Sequence, residues 1–382
     1  MTPAARLSAA IEILDRILAG AAAEPALANW GRANRFAGSG DRHALRDLVF
    51  DALRCRRSHA ALGGAETGRG LVLGGVRAAD TDPATWFTGL GHAPAPPGLD
   101  ETGRDPDPLE ALDCPDWLAP RLQASLGEDF APVMQAMRQR APVFLRCNLA
   151  RTNRAAAIAA LAEDGIVANP VEWVKTALEV TESARQIQNS RAYGEGLVEL
   201  QDASSQAVIE ALALSDGAKV LDYCAGGGGK TLAMAALGVS PDVHDASPNR
   251  MRDLPVRAAR AGAKVRIVEN PAGTAPYDVI LTDVPCSGSG SWRRDPQGKW
   301  ALTESRLRDL LAVQAAILER VLPLLKPGGV LAYATCSLLA DENEAQIARF
   351  LRRHSDWRCL DQRRFSPLSG GDGFYLARLT QA

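Results

Sequence analysis

The stretch KVLDYCAGGGGKTLAMAA, Lys219 to Ala236, decides the fold. Val220 and Leu221 open it as a short buried strand, the glycines Gly226 to Gly229 break that strand, and Lys230-Thr231 lead into helix-forming Leu, Ala and Met. Strand, glycine turn and helix in that order make the first unit of a parallel α/β sheet. Consecutive glycines cost conformational entropy, which is worth bearing where a backbone must come close to a ligand.

The same punctuation recurs outward from this point. DVHDA, KVRIVE, YDVILTDVP and GGVLAYATCS read as further buried strands, with helical runs between most of them, so residues 198–382 are expected to form an α/β domain of Rossmann-like, doubly wound type. Toward the N-terminus, AAIEILDRIL and HALRDLVFDALRCRR carry apolar residues three and four apart, which predicts an all-α domain over 1–125. Thr81 to Pro108 is rich in Pro and Gly and predicts irregular structure. Residues 126–197 read as a small α+β module.

Composition narrows the function. The 382 residues are 46% hydrophobic and 23% charged, with a net charge of -2, so no whole-chain basic field attracts nucleic acid and any RNA contact must be local. The seven cysteines are scattered without CxxC pairs, which predicts free thiols in a reducing compartment and no metal. No apolar run approaches the roughly 20 residues of a membrane span. Glu12 and Asp15 sit inside the amphipathic N-terminal pattern, unlike a targeting peptide. A soluble, cytoplasmic monomer without membrane or metal partners is expected.

Three nucleotide loops compete for the glycine turn. A Walker A loop requires a glycine where Cys224 stands, and a dinucleotide fingerprint requires Gly or Ala where Thr231 stands. The third is the loop of class I methyltransferases, in which the backbone from Cys224 through Ala225, Gly226, Gly227 and Gly228 to Gly229 approaches S-adenosylmethionine. Its companion is an acid closing the second strand and facing the ribose hydroxyls, a place held by Asp245. Taken alone, an Asp before Ser-Pro is more often a turn or cap residue.

Two later strands end in cysteine, TDVPCSGSG at Cys286 and YATCS at Cys336. A lone buried cysteine is usually a small apolar side chain. Two at the ligand-facing edge of one sheet suggest chemistry. Carbon 5 of cytosine cannot attack a sulfonium methyl until a thiolate adds to carbon 6 and makes it enamine-like, and that covalent route needs an activated thiol.

DYCAGGGGKT, TDVPCSGSG and YATCS, with LQDASSQ upstream and GDGFYLARL near the end, resemble the RNA (cytosine-5) methyltransferases of the Sun/RsmB type, and the helical N-terminus is similar to their NusB-like RNA-binding domain. The resemblance implies Cys336 as nucleophile, Cys286 as the residue assisting proton removal and product release, and Asp283 as a contact to the target base. Lys230 would belong to the same active site. S-adenosylmethionine would be held by Cys224 to Gly229, Lys230, Asp245 and Asp283. Two departures stand out: Gly226-Gly227 replace an Ala-Pro pair, and Asn270, whose amide would still bond an adenine edge and which stays a cofactor contact, stands where the family commonly has an Asp.

For the RNA, 16S ribosomal RNA by that resemblance, local clusters supply charge and aromatic surface. Arg250, Arg252, Arg257 and Arg260 fall in one expected helix, a pattern that more often is a solvated face, and Trp292, Arg293 and Arg294 follow the Cys286 motif directly. Other readings are a transfer-RNA cytosine-5 methyltransferase, a non-catalytic ribosome-assembly protein, and a nucleotide hydrolase using Lys230 and Thr231. A scaffold needs neither cysteine.

Overall fold

The computed structural model describes residues 1–382, which divide into two compact units: Met1–Arg140 together with Trp292–Ala301, and Ala141–Ser291 together with Leu302–Ala382. The first is all-α as expected. Helices Pro3–Leu18, Ala23–Ala33, Ser39–Arg54, Arg56–Gly63 and Gly68–Ala78 close around Ile13, Leu14, Leu45, Val49, Leu53 and Leu71, the residues that the three-four spacing places inward. Residues 86–107, within the Pro- and Gly-rich stretch, form no helix or strand.

The stretch Trp292–Ala301 belongs to this helical unit. Lys299 Nζ and Trp300 Nε1 donate to the carbonyls of Arg54 and Leu53 (3.2 and 2.6 Å), and Arg54 Nε donates to the carbonyl of Arg293 at 2.7 Å. The last-turn carbonyls of helix Ser39–Arg54 lack intrahelical donors, and Lys299 and Trp300 supply two of them.

The second unit holds two sheets. β1 (Val143–Cys147), β2 (Val167–Pro170), β3 (Ala177–Glu182) and β4 (Val198–Leu200) pair antiparallel in the order β2-β3-β1-β4. Then come β5 (Val220–Asp222), β6 (Asp242–Val243), β7 (Arg266–Ile267), β8 (Tyr277–Asp283), β9 (Leu325–Thr335), β10 (Trp357–Phe365) and β11 (Phe374–Gln381). Their order is β10-β11-β9-β8-β5-β6-β7, with β5 to β9 parallel and β11 antiparallel to both its neighbours. The five parallel strands are those read from the sequence, and they make a Rossmann-like sheet. The β10–β11 hairpin was not anticipated.

Buried bonds join β1 and the residue that follows it to the helices of the parallel sheet. Arg146 of β1 donates to the side chain of Gln201 at 2.7 Å and to the carbonyl of Leu232 at 3.3 Å, while Asn148 donates to the carbonyls of Gly196 and Ala261, each at 2.9 Å. Cutting the chain at residue 196 would leave the Leu232 and Ala261 carbonyls without these donors.

Candidate active site

Parallel sheets place ligands beyond the carboxyl ends of their strands, at the point where strand order reverses. Here that point lies between β5 and β8, which start opposite arms of the sheet. The glycine turn follows β5. Gly226 (φ +53°) and Gly228 (φ +77°) take the left-handed conformation, and Gly228 caps the helix Gly229–Ala235. A side chain at Gly228 would collide with Leu254 at 2.3 Å.

Asp245, at the end of β6, is buried, accepts from the N–H of Gly226 at 2.8 Å and of Ser247 at 2.9 Å, and pairs with Arg250 at 3.3 Å. It therefore braces the glycine turn as well as facing the sheet edge. Arg250 lies on a 3-10 turn (Pro248–Met251) rather than on the expected single helix, which begins only at Leu254 because Pro255 fits a helix's first turn but not its interior. Its guanidinium lies 3.1 Å from where a Gly226 Cβ would be, and that of Arg257 lies 3.2 Å from a Gly227 Cβ. Arg257 also donates to the Gly227 carbonyl and pairs with Glu199 at 3.3 Å, so arginines fill the room left by the missing Ala-Pro side chains.

Lys230 points back across the sheet. Its Nζ is 2.7 Å from Asp283 Oδ2 and 4.7 Å from the Phe374 ring centroid; burial alone would lower its pKa, but Asp283 outweighs that and holds it above the ordinary lysine value. Beyond Asp283, the loop after β8 carries Cys286, whose Sγ is 3.4 Å from Cys336 Sγ after β9. The Cys336 contact and burial push the Cys286 thiol well above the usual range. The β8–β9 register, with Asp283 opposite Ala334, brings the two thiols face to face from positions 50 residues apart.

Residues not singled out in the sequence complete the site. Asp222, at the end of β5, is fully buried, accepts from Thr231 Oγ1 at 2.6 Å and has its Oδ1 unpartnered; burial raises its pKa to about 7. Glu342 is fully buried and accepts hydrogen bonds from Ser287 and Ser337, the residues that follow the two thiols. The only sequence signal for Glu342 was the acidic run DENE after YATCS, which resembles a solvated face.

Asn270 is exposed and its side chain accepts from the N–H of Ala272 at 3.1 Å, closing its own turn. Trp292 and Arg293 are buried in the structure, at 2% and 4% exposure, instead of offering a surface to a base, because this segment is taken up by the helical unit; Arg294 is exposed. Proximity to Cys286 along the chain was a poor guide to surface position.

S-adenosylmethionine carries a sulfonium and an ammonium, and the residues present suit it. The carboxylates of Asp283 and Asp245 both act on the Cys224 thiol and help burial to raise its pKa, so negative charge lies beside the glycine turn. Asp222 Oδ1 is a buried acceptor without a donor.

Sheet order, glycine turn and strand-end acids define a class I, Rossmann-like methyltransferase domain. Residues 209–380 match the family "16S rRNA methyltransferase RsmB/F", and residues 114–187 match the ferredoxin-like domain of RsmF/B-like methyltransferases. The chain is 34% identical over 284 residues to ribosomal RNA small subunit methyltransferase B of Photorhabdus laumondii, covering 70% of this chain and 66% of the relative. It is 33% identical to the protein of that name from Escherichia coli O7:K1, covering 69% and 66%. It thus spans slightly less than two thirds of these curated relatives. A methyltransferase homologue from Pyrococcus horikoshii superposes with a TM-score of 0.63 at 26% identity, covering 72% of this chain and 97% of that one. Residues 209–380 are thus an RsmB/F-type methyltransferase domain.

Proposed function

We propose that the protein transfers a methyl group from S-adenosylmethionine to carbon 5 of a cytosine in RNA, with 16S ribosomal RNA as the substrate that the named relatives favour. The observation that carries this reading is the pair of thiols, Cys286 and Cys336, 3.4 Å apart at the ends of adjacent parallel strands, beside Lys230–Asp283.

In this reading the Cys336 sulfur forms a bond to carbon 6 and carbon 5 gains electron density. Asp283, with Lys230 holding it, orients the base and balances charge developing on the ring. The donor, when bound along Cys224–Gly229 and Asp245, supplies the methyl group. Cys286 then assists loss of the carbon 5 proton, the carbon 6–sulfur bond breaks, and the Cys336 thiolate is regenerated. A base has to leave its stack to reach such a pocket, so unpaired or flipped-out cytosine is the expected substrate.

The three-part division into 1–125, 126–197 and 198–382 is kept as a functional proposal, with the first two parts supplying RNA affinity. Arg250 and Arg294 are the retained candidates for phosphate contact, since both are exposed. Bisulfite sequencing of total RNA from cells with and without the protein tests the reading: a 16S cytosine protected from conversion only when the protein is present supports it, a transfer-RNA site reassigns the substrate, and no difference overturns it.

A further inference from the structure

Glu342 makes contacts that no step above uses. Its Oε1 accepts from the backbone N–H of Ser287 at 2.8 Å and from Gln314 Nε2 at 2.9 Å; its Oε2 accepts from the hydroxyls of Ser287 and Ser337, each at 2.5 Å. Ser287 directly follows Cys286, and Ser337 directly follows Cys336. One buried carboxylate therefore binds the residue next to each thiol, from two different loops.

The surrounding bonds stiffen the same tie. Ser289 Oγ lies 3.1 Å from the hydroxyls of both Ser287 and Ser337 and accepts from the N–H of Leu338 at 2.8 Å. Gly290 N–H donates to the Cys336 carbonyl at 2.9 Å. Tyr333 donates to the Glu342 carbonyl at 2.6 Å, and Asn343 donates to that of Ser337 at 2.9 Å, which fixes the turn presenting the carboxylate.

We propose that Glu342 is a positioning residue for the two reacting thiols: its carboxylate joins the Cys286 and Cys336 loops and sets the distance and relative orientation of their sulfurs. The inference rests on the reading of Cys286 and Cys336 as the reacting pair. A methyl group must pass between donor and base without either sulfur drifting, and misplacement by about 1 Å is enough to cost orders of magnitude in rate.

The donor arrangement separates two substitutions. Glu342→Ala leaves four donors unanswered in a buried site. Glu342→Gln keeps an oxygen toward the two N–H donors, which cannot reverse, and turns its amide toward the two hydroxyls, which can rotate to accept. The geometry survives and the charge does not. Charged or titratable groups acting on Cys286 are Cys336, Glu342 and, from β9, Tyr333; Lys230–Asp283 lies beyond Cys336. The Cys336 contact and burial disfavour the Cys286 thiolate most and Glu342 adds to them, so neutralising Glu342 should ease ionisation.

The test uses the full chain without RNA or cofactor, so its outcome is independent of whether the methylation reading holds. Phenylarsine oxide captures two neighbouring thiols by forming two As–S bonds and releasing water; capture of Cys286 with Cys336 is read by peptide mass spectrometry, with Cys286→Ala as the control. Glu342→Ala should lose capture at least about tenfold, whereas Glu342→Gln should stay within about threefold of the native chain. Iodoacetamide should label Cys286 on the order of threefold faster in Glu342→Gln at pH 8, with the rate profile displaced to lower pH. Unchanged capture in a folded Glu342→Ala overturns the proposal. If that variant does not fold, a Glu342→Gln protein that fails to fold, or whose Cys286 labelling profile superimposes on the native one, overturns it instead.

Discussion

Lys230 Nζ stands 2.7 Å from Asp283 Oδ2, tying the helix that follows the glycine turn to the strand that leads to Cys286. Lys230 is buried and Asp283 is 29% exposed, so the pair is shielded from solvent on one side only. Removing the cation strands Asp283 beside Asp222, whose pKa Lys230 helps to restrain. Lys230→Met should lower stability by about 1–3 kcal/mol and methyl transfer by about a hundredfold, measured by denaturant unfolding and by incorporation of labelled methyl into RNA.

Replacement of the two thiols should fail in different ways. Cys336→Ala removes the group that bonds carbon 6, so neither methylation nor an RNA adduct should form. Cys286→Ala leaves attack and transfer possible but slows proton loss, and protein should remain attached to methylated RNA as a denaturant-resistant band. Adduct accumulation with Cys336→Ala instead would reverse the roles.

Asp245 has two partners to lose. Asp245→Ala deletes the acceptor for the Gly226 N–H and the carboxylate proposed for the ribose. Calorimetry should show S-adenosylmethionine affinity about tenfold weaker, and unchanged affinity would remove Asp245 from the cofactor site. Asp245→Asn keeps one acceptor oxygen for the turn and should lose less.

Asp222 makes stability depend on pH. Its folded carboxyl binds a proton up to about 7 while the unfolded one titrates near 3.8, so the folded chain holds the extra proton between those values and rising pH removes stability across that window. The ceiling is ~4 kcal/mol for such a shift. Asp242 and Asp278, held below the usual carboxylate range with help from Arg266 and Lys326, act with the opposite sign in more acidic solution. Comparing unfolding of the native chain and Asp222→Asn cancels them: the variant should gain on the native chain from pH 5 to about pH 7 and level off above it. A constant difference would show that Asp222 does not titrate there.

What the sequence determined by itself is local. Period-two and three-four spacing, and the glycine break after Leu221, are properties of neighbouring residues, so the five parallel strands, the N-terminal helices and the strand-end positions of Asp245, Cys286 and Cys336 were legible. β10 and β11 were not: in WRCLDQRRF the alternation breaks at Cys359-Leu360 and runs polar from Asp361 to Arg364, so the pairing of β10 with β11 is what makes this edge segment a strand. Tertiary structure decided which residues meet. The 3.4 Å between Cys286 and Cys336 comes from β8–β9 register, and the role of Glu342 comes from two loops reaching one carboxylate. Trp292 and Arg293 passed to the helical unit because open carbonyls at a helix end recruit the segment that holds them, a long-range satisfaction of hydrogen bonds that no spacing along the chain encodes.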